Sequence, residues 1–210
     1  WFNRNNGINM SISKCFNNGF ITAQYDKVGG FIGYMDESNM NLIISGSQNN
    51  GALLGTSKLG GFIGNVFNNP GMNILFVNDK NNGTISGNGQ EDNIGGFVGL
   101  IKNNAGIRMQ MDDIINHGKL SENSCVGGFI GGVLSNPNMS LSVSKSMNNE
   151  TINGLNKIGG FIGEMHNNSN MDASISNCSN NGSVIGTTAI GGLIGSASSD
   201  SQLPAQMLVV

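Results

Sequence analysis

The chain has 210 residues, of which only 11% are charged, and its formal net charge is −3. Its Lys and Arg residues are scattered singly, so we do not expect nucleic acid as a partner. Ion pairs are too few to be the main source of stability, and Gly (33 residues) and Asn are over-represented instead. Because no run of 18 apolar residues occurs, direct insertion into a membrane is not expected.

One pentapeptide, Gly-Gly-Phe-Ile-Gly in its commonest form, recurs six times. The copies lie at 29–33, 60–64, 95–99, 127–131, 159–163 and 191–195, and they start 31, 35, 32, 32 and 32 residues apart. This regularity is typical of a repeat array. It divides the chain into units 1–33, 34–64, 65–99, 100–131, 132–163 and 164–195, with a partial unit or tail at 196–210. From the start at Trp1 and the partial last unit we expect a fragment of a longer chain.

Each unit predicts three short strands separated by turns. The first strand is the pentapeptide with its flanks, as in 28–35, and a turn rich in Asn, Gly and Pro follows, as in 68–71. The second strand alternates apolar and polar residues, as in 139–144. An Asn-Asn-Gly turn leads to a short third strand, as in 182–186, and a variable loop returns to the next pentapeptide. No segment has a useful helical periodicity.

Superposing the units places like residues in the same slot. The first strand contributes the column Phe31, Phe62, Phe97, Phe129, Phe161 and Leu193, and the second strand contributes Ile12, Ile44, Phe76, Met111, Val143 and Ile175. Columns at a fixed period indicate that equivalent residues are stacked above one another. We therefore predict an all-β, right-handed parallel β-solenoid (β-helix) of about six coils of ~32 residues, with three short strands per coil.

One turn slot holds asparagine in every unit. Its members are Asn17, Asn49, Asn81, Asn116, Asn148 and Asn180. Side-chain amides stacked at the strand spacing can donate and accept along the column, so the slot predicts a structural asparagine ladder. Two residues later, Gly occurs in every unit except at Glu150, and we expect left-handed backbone there.

The apolar residue that follows each Phe of the pentapeptide has two alternative orientations. In a regular strand it points away from its neighbour and faces solvent, which predicts an exposed interface stripe. The members of that stripe are Ile32, Ile63, Val98, Ile130, Ile162 and Ile194. A bulge at the flanking glycines would instead turn both residues inward. The sequence leaves both alternatives open.

No residue is nominated as catalytic, cofactor-binding or metal-binding. The glycine-rich pentapeptide lacks the Gly-Lys-Ser/Thr ending of a phosphate loop, and it precedes no predicted helix. Cys15, Cys125 and Cys178 lack C-x-x-C spacing, so we expect small buried hydrophobic residues rather than a metal site. His117 occupies a second Asn slot and is interpreted as a substitute within a ladder. We therefore expect a chain without enzyme activity or cofactor.

The last complete unit carries a family resemblance. Residues 177–195 read Asn-Cys-Ser-Asn-Asn-Gly-Ser-Val-Ile-Gly-Thr-Thr-Ala-Ile-Gly-Gly-Leu-Ile-Gly. This resembles the GLUG repeat, whose pattern runs Asn-Cys-x-x-x-Gly-x-Val-x-Gly, a short spacer and Val-Gly-Gly-Leu-Val-Gly. The resemblance covers about residues 8–195, although five copies have Phe where the family has Leu. It implies a non-catalytic segment, as in bacterial immunoglobulin-A metallopeptidases and large surface adhesins.

From the repeats and this resemblance we expect a structural or adhesive module of an extracellular or cell-surface protein. Its expected partners are further copies of itself, in a homo-oligomer or filament, or other surface proteins. The alternative is a non-catalytic β-helical segment of a secreted peptidase or glycan-active enzyme. A β-helix can also bind glycans, but no feature of the sequence supports glycan binding.

Overall fold

The computed structural model describes residues 2–3, 6–36, 39–89, 93–121, 124–198 and 206–209. Within these ranges every regular element is a β-strand, and the strands pair in parallel with the equivalent strands of neighbouring coils. The chain is therefore a parallel β-solenoid of about six coils of ~32 residues, which confirms the predicted fold class. The described residues contain no helix that could cross a membrane.

Five sheets, here named A to E in the order in which the chain visits them, form the walls of the solenoid. Sheet A contains Phe2–Asn3, Ile32–Asp36, Ile63–Phe67, Val98–Lys102, Ile130–Leu134, Ile162–His166 and Ile194–Ser198. Sheet B contains Asn6–Ser13, Asn39–Ser45, Asn73–Val77, Arg108–Asp112, Ser140–Ser144, Asp172–Ser176 and Gln206–Val209. Sheet C contains Phe16–Asn17, Gln48–Asn49, Lys80–Asn81, Ile115–Asn116, Met147–Asn148 and Ser179–Asn180. Sheet D contains Ile21–Thr22, Leu53–Gly55, Ile85–Gly87, Leu120–Ser121, Ile152–Asn153 and Val184–Ile185. Sheet E contains Val28–Gly29, Leu59–Gly60, Asn93–Gly95, Cys125–Gly127, Asn156–Gly159 and Thr188–Gly191.

The expectation of three strands per coil was wrong, because a coil contributes to five sheets. The predicted first strand is divided at its two glycines into a strand of sheet E and a strand of sheet A. The predicted Asn turn is itself a two-residue strand of sheet C, because its backbone pairs from coil to coil. The right-handed winding stays a prediction.

The bulge alternative holds for the pentapeptide, and the exposed stripe does not exist. In the first copy the amides of Phe31 and Ile32 both donate to one carbonyl, that of Phe62, at N–O distances of 3.1 and 2.9 Å. Two residues of one coil thus oppose a single residue of the next coil, which is a β-bulge, and both side chains turn inward. Ile32, Ile63, Val98, Ile130 and Ile162 are buried, and Ile194 in the last coil is half-buried against the same core. These six residues are therefore core, and they are not an interface.

The apolar interior is divided into two compartments by a waist. The larger core lies between sheets A and B and contains the Phe column, and the smaller core lies between sheets D and E. At the waist, the second glycine of each of the first five pentapeptides faces an asparagine of sheet C. A Cβ atom on Gly30 would lie 2.2 Å from the carbonyl oxygen of Gly61 and 2.7 Å from Oδ1 of Asn49. Only glycine allows the two walls to approach this closely.

The predicted asparagine ladder runs along this waist and is confirmed. Each side-chain Nδ2 donates to Oδ1 of the next member, at 2.7 to 2.8 Å, from Asn17 through to Asn180. The amide also donates to the backbone carbonyl two residues later, as Asn49 does to Gly51 at 3.1 Å. Asn49, Asn81, Asn116 and Asn148 are fully buried. The ladder therefore satisfies a row of amides that would otherwise be costly to bury.

A second buried asparagine ladder, which was not predicted from the sequence, lies in the turn between sheets A and B. Its members are Asn69, Asn104, Asn136 and Asn168. In Asn104, Asn136 and Asn168, Oδ1 accepts from the backbone N–H and from Nδ2 of the preceding member, as in Asn104 to Asn136 at 2.9 Å for both. The signal was present in the sequence, because asparagine fills one slot in four consecutive units.

The expectation of left-handed glycines after the first ladder was wrong. Among the described glycines, positive φ occurs at Gly7, Gly46, Gly71 and Gly106, in other slots. The glycine at position 51 is required for a different reason, since a Cβ there would lie 1.9 Å from the carbonyl oxygen of Gly19 in the coil below.

Candidate functional site in the groove between sheets E and A

A groove runs along the outer surface where sheet E meets sheet A, on the outside of the waist. Near its middle it widens into a hollow of about 840 Å3. One wall is formed by residues at the start of the sheet E strands, and the other by outward-facing residues of sheet A. The hollow is lined by Lys58, Asn93, Leu100, Lys102, Ser124, Cys125, Leu134, Asn156, Lys157, Glu164, Thr188 and Ala189.

The hollow exists because two small residues coincide in one coil. In the outward column of sheet A, Gly132 pairs in register with Leu100 on one side and Glu164 on the other. Across the groove, Cys125 occupies the slot that holds a lysine, Lys157, one coil later. The larger side chains of the neighbouring coils therefore stand around a gap in the fourth coil.

A cluster of ionisable side chains stands at one end of the hollow. Lys157 Nζ forms an ion pair with Glu164, whose side chain is only 10% exposed. This hydrogen bond raises the pKa of Lys157. Burial, followed by the negative charge of Glu164, raises the pKa of the Cys125 thiol to about 12. The thiol therefore remains protonated at neutral pH, and Cys125 has the environment of an inert cysteine rather than of a nucleophile.

The side chain of Asn93, on the wall of the hollow, has an unpartnered amide oxygen. The residue is 8% exposed, and its Oδ1 is buried without a hydrogen-bond partner among the described residues. That oxygen lies over Gly132, 2.1 Å from the place where a Cβ would stand. Asn65, in the coil below, has a buried Oδ1 in the same condition. Leaving such a group unsatisfied costs on the order of 1–3 kcal/mol. A ligand that supplies the missing hydrogen bond removes this cost and therefore gains binding free energy.

The hollow is electropositive, in contrast to the acidic chain as a whole. Three lysines line it against one glutamate. Lys58 is paired with Asp26 at 2.6 Å, and Lys157 is paired with Glu164. Lys102 has no ion-pair partner in the part of the chain that the structure describes. In the same described part, no three His, Cys, Asp or Glu residues are grouped closely enough to hold a metal ion.

A separate buried carboxyl lies at the corner between sheets B and C. Asp79 is fully buried and accepts hydrogen bonds from the backbone N–H groups of Ser47, at 2.7 Å, and Val77, at 3.0 Å. Burial raises its pKa to about 6, although both hydrogen bonds oppose the rise. In other coils a serine fills the same slot and accepts in the same way, as Ser146 does from the N–H of Ile114 at 3.2 Å. A neutral serine therefore fills the same acceptor role as Asp79, so this role does not depend on a charge.

The first coil differs from the rest in the aromatic side chains that it exposes. Phe16, Phe20 and Tyr25 are 58%, 65% and 78% exposed. Cys15, in the same coil, is also exposed, so the expectation of a buried residue was wrong there. It was confirmed for Cys125, whereas Cys178 is only partly buried, and all three cysteines are free.

Comparison of the chain with protein-family models, with curated proteins and with solved structures found no match in any of the three.

Proposed function

We propose that the chain is a stiff, non-catalytic structural module that holds or presents binding surfaces in an extracellular or cell-surface protein. The observation that carries the proposal is the buried asparagine ladder, which runs without interruption from Asn17 to Asn180. Such a ladder couples each coil to the next, and it favours a rod of fixed length over a set of flexible units.

The packing of the larger core supports the same proposal. The rings of Phe31, Phe62 and Phe97 are stacked with centroids 4.9 Å apart, and Phe129 and Phe161 are stacked at 4.6 Å. Aromatic pairs of this kind add about 0.5–1.5 kcal/mol each beyond the burial of their area. Neighbouring coils are thereby held together inside as well as along the walls.

The exposed aromatic residues of the first coil favour association with a further surface. Phe16, Phe20 and Tyr25 are each more than half exposed, and all three lie in one coil. Exposed apolar side chains grouped in this way are typical of places where another chain docks. We therefore include self-association, end to end, in the proposal.

Electron microscopy and sedimentation velocity of the purified chain over a concentration series test the proposal. We expect straight rods at low concentration, with lengthening at high concentration that is abolished by Phe20→Ser. Phe62→Ser is not a suitable control, because it opens the core. Thr84→Ser is suitable, because Thr84 is an exposed residue in the slot equivalent to Phe20.

Flexible or collapsed particles at every concentration would contradict the rigid module. Monodisperse rods that never lengthen would remove self-association and leave the rigid module in place. A metalloprotease signature such as His-Glu-x-x-His elsewhere in a longer reading frame would favour the alternative, in which the solenoid is a non-catalytic segment of a secreted enzyme.

A further inference from the structure

The hollow in the groove between sheets E and A combines three features that a binding site requires. It is an open concavity of about 840 Å3, within the range of small-molecule sites in proteins. It contains Asn93, a more than nine-tenths buried residue whose Oδ1 has no hydrogen-bond partner among the described residues. It also carries an excess of positive charge, with Lys102 outside any ion pair of the described residues.

We propose that this hollow binds an acidic saccharide, a short chain of sugar rings that carries carboxylate groups. The ammonium of Lys102 pairs with a carboxylate, and Oδ1 of Asn93 accepts a hydrogen bond from a ring hydroxyl. Leu134, which is partly exposed on the same wall, offers an apolar surface to the face of a sugar ring. Ser124 and Thr188 supply further hydroxyl groups on the same walls. The inference extends the proposed surface role to a ligand class, but it does not rest on self-association.

An acidic peptide is the competing ligand, and the groove suits it less well. Peptides that bind along a sheet gain most of their affinity from main-chain hydrogen bonds to an open strand edge. Here the strands on both sides of the groove already pair along the solenoid axis with the coils above and below, as Val98 and its neighbours do with Ile63 and Ile130. Recognition in the groove therefore depends on side chains, which suits the hydroxyls of a saccharide.

Titration of the full 210-residue chain with defined oligosaccharides tests the proposal. The probes are the tetrasaccharides of galacturonan and of hyaluronan, and the control is the methyl-esterified galacturonan tetrasaccharide, which has the same rings without the charge. Binding is measured by calorimetry and by amide chemical shifts in two-dimensional NMR. We expect shifts confined to the groove for at least one acidic probe, and at least about ten-fold weaker binding of the ester, because a charge-assisted hydrogen bond is lost.

Two variants with matched controls locate the site. Lys102→Gln removes the unpaired ammonium, and we expect about five-fold weaker binding, whereas Lys119→Gln, at an exposed lysine outside the hollow, leaves the affinity unchanged. Gly132→Ala places a methyl group 2.1 Å from Oδ1 of Asn93 and so displaces the amide. Its control is Ser196→Ala, in the same outward column two coils later.

Several results would overturn the proposal. Absence of groove shifts with both acidic tetrasaccharides at millimolar concentration would refute it. Equal weakening by Lys102→Gln and Lys119→Gln would show a diffuse charge effect instead of a site. Tighter binding of tetraglutamate than of either saccharide would assign the hollow to acidic peptides. If Gly132→Ala fails to fold, the lysine pair still decides the question, because both lysines lie on the surface. Failure of the rods to form in the microscope would not affect any of these readouts.

Discussion

Replacement of Asn116 by alanine measures what the buried ladder contributes. Asn116 Nδ2 donates to Oδ1 of Asn148 at 2.7 Å and to the carbonyl of Gly118 at 3.0 Å. Its Oδ1 accepts from Nδ2 of Asn81 at 2.8 Å and from the N–H of Gly118 at 3.3 Å. All four bonds are removed by the substitution, and Oδ1 of Asn148 loses its donor in the interior. At about 1 kcal/mol for each bond, we expect the free energy of unfolding to fall by ~4 kcal/mol.

The matched control is Asn82→Ala, in a ladder that faces solvent. Asn82 Nδ2 donates to Oδ1 of Asn50 at 2.7 Å, a geometry equal to that of the buried ladder. Because water can replace this partner, the expected loss is below about 1 kcal/mol. Urea denaturation followed by circular dichroism gives both values, provided that the slope m is unchanged, since repeat arrays can unfold in more than one step. A difference of less than about 1 kcal/mol between the two variants would refute the role assigned to burial.

Three further predictions concern a carboxyl, a glycine and a thiol. The pKa of Asp79 is about 6 in the folded chain and 3.8 in the unfolded chain, so on raising the pH the unfolded chain loses this proton first. The free energy of unfolding therefore falls as the pH rises from about 4 to about 6, by about 3 kcal/mol in total. Asp79→Ser keeps the acceptor, and we expect it to abolish this fall between pH 4 and 7; an unchanged pH profile would contradict the assignment. Gly61→Ala would place a Cβ 2.1 Å from a backbone oxygen and should prevent soluble expression, whereas Gly192→Ala meets nothing within 4 Å and should fold normally. Iodoacetamide at pH 8 should modify Cys15 first, and Cys125 only after unfolding, and rapid labelling of Cys125 in the folded chain, read by mass spectrometry, would disprove its inert environment.

The residues that the sequence predicted correctly are those that repeat in one slot. Asn49 and Asn81 are 32 residues apart and identical, and a stacked fold places them at hydrogen-bond distance whatever the details of the walls. The same reasoning predicted the interior position of Phe62. Residues that are identical at a fixed period indicate which positions are stacked, and a solenoid is built from such stacked positions.

The sequence could not settle the orientation of Ile63, because alternation along a strand assumes one partner for each residue. Here the amides of Phe62 and Ile63 share the carbonyl of Phe97, and this sharing depends on backbone geometry at the glycines. The candidate site was not predicted from the sequence for a related reason. Asn93 meets Gly132 across a distance of 39 residues in the chain, and both lie in slots whose residue type varies from coil to coil, so no column marks either of them.

The waist has a consequence for how the molecule resists force. The ladder bonds and the strand-to-strand bonds of all five sheets join one coil to the next, so a pull along the solenoid axis loads them together at every junction. Torsion is resisted differently. Rotating one coil over another would push the Asn49 amide against the backbone of Gly30, which has no side chain that could move aside. In cross-section the solenoid encloses two core compartments that are separated by the waist. A closed tube with such an internal partition is much harder to twist than an open sheet of the same mass.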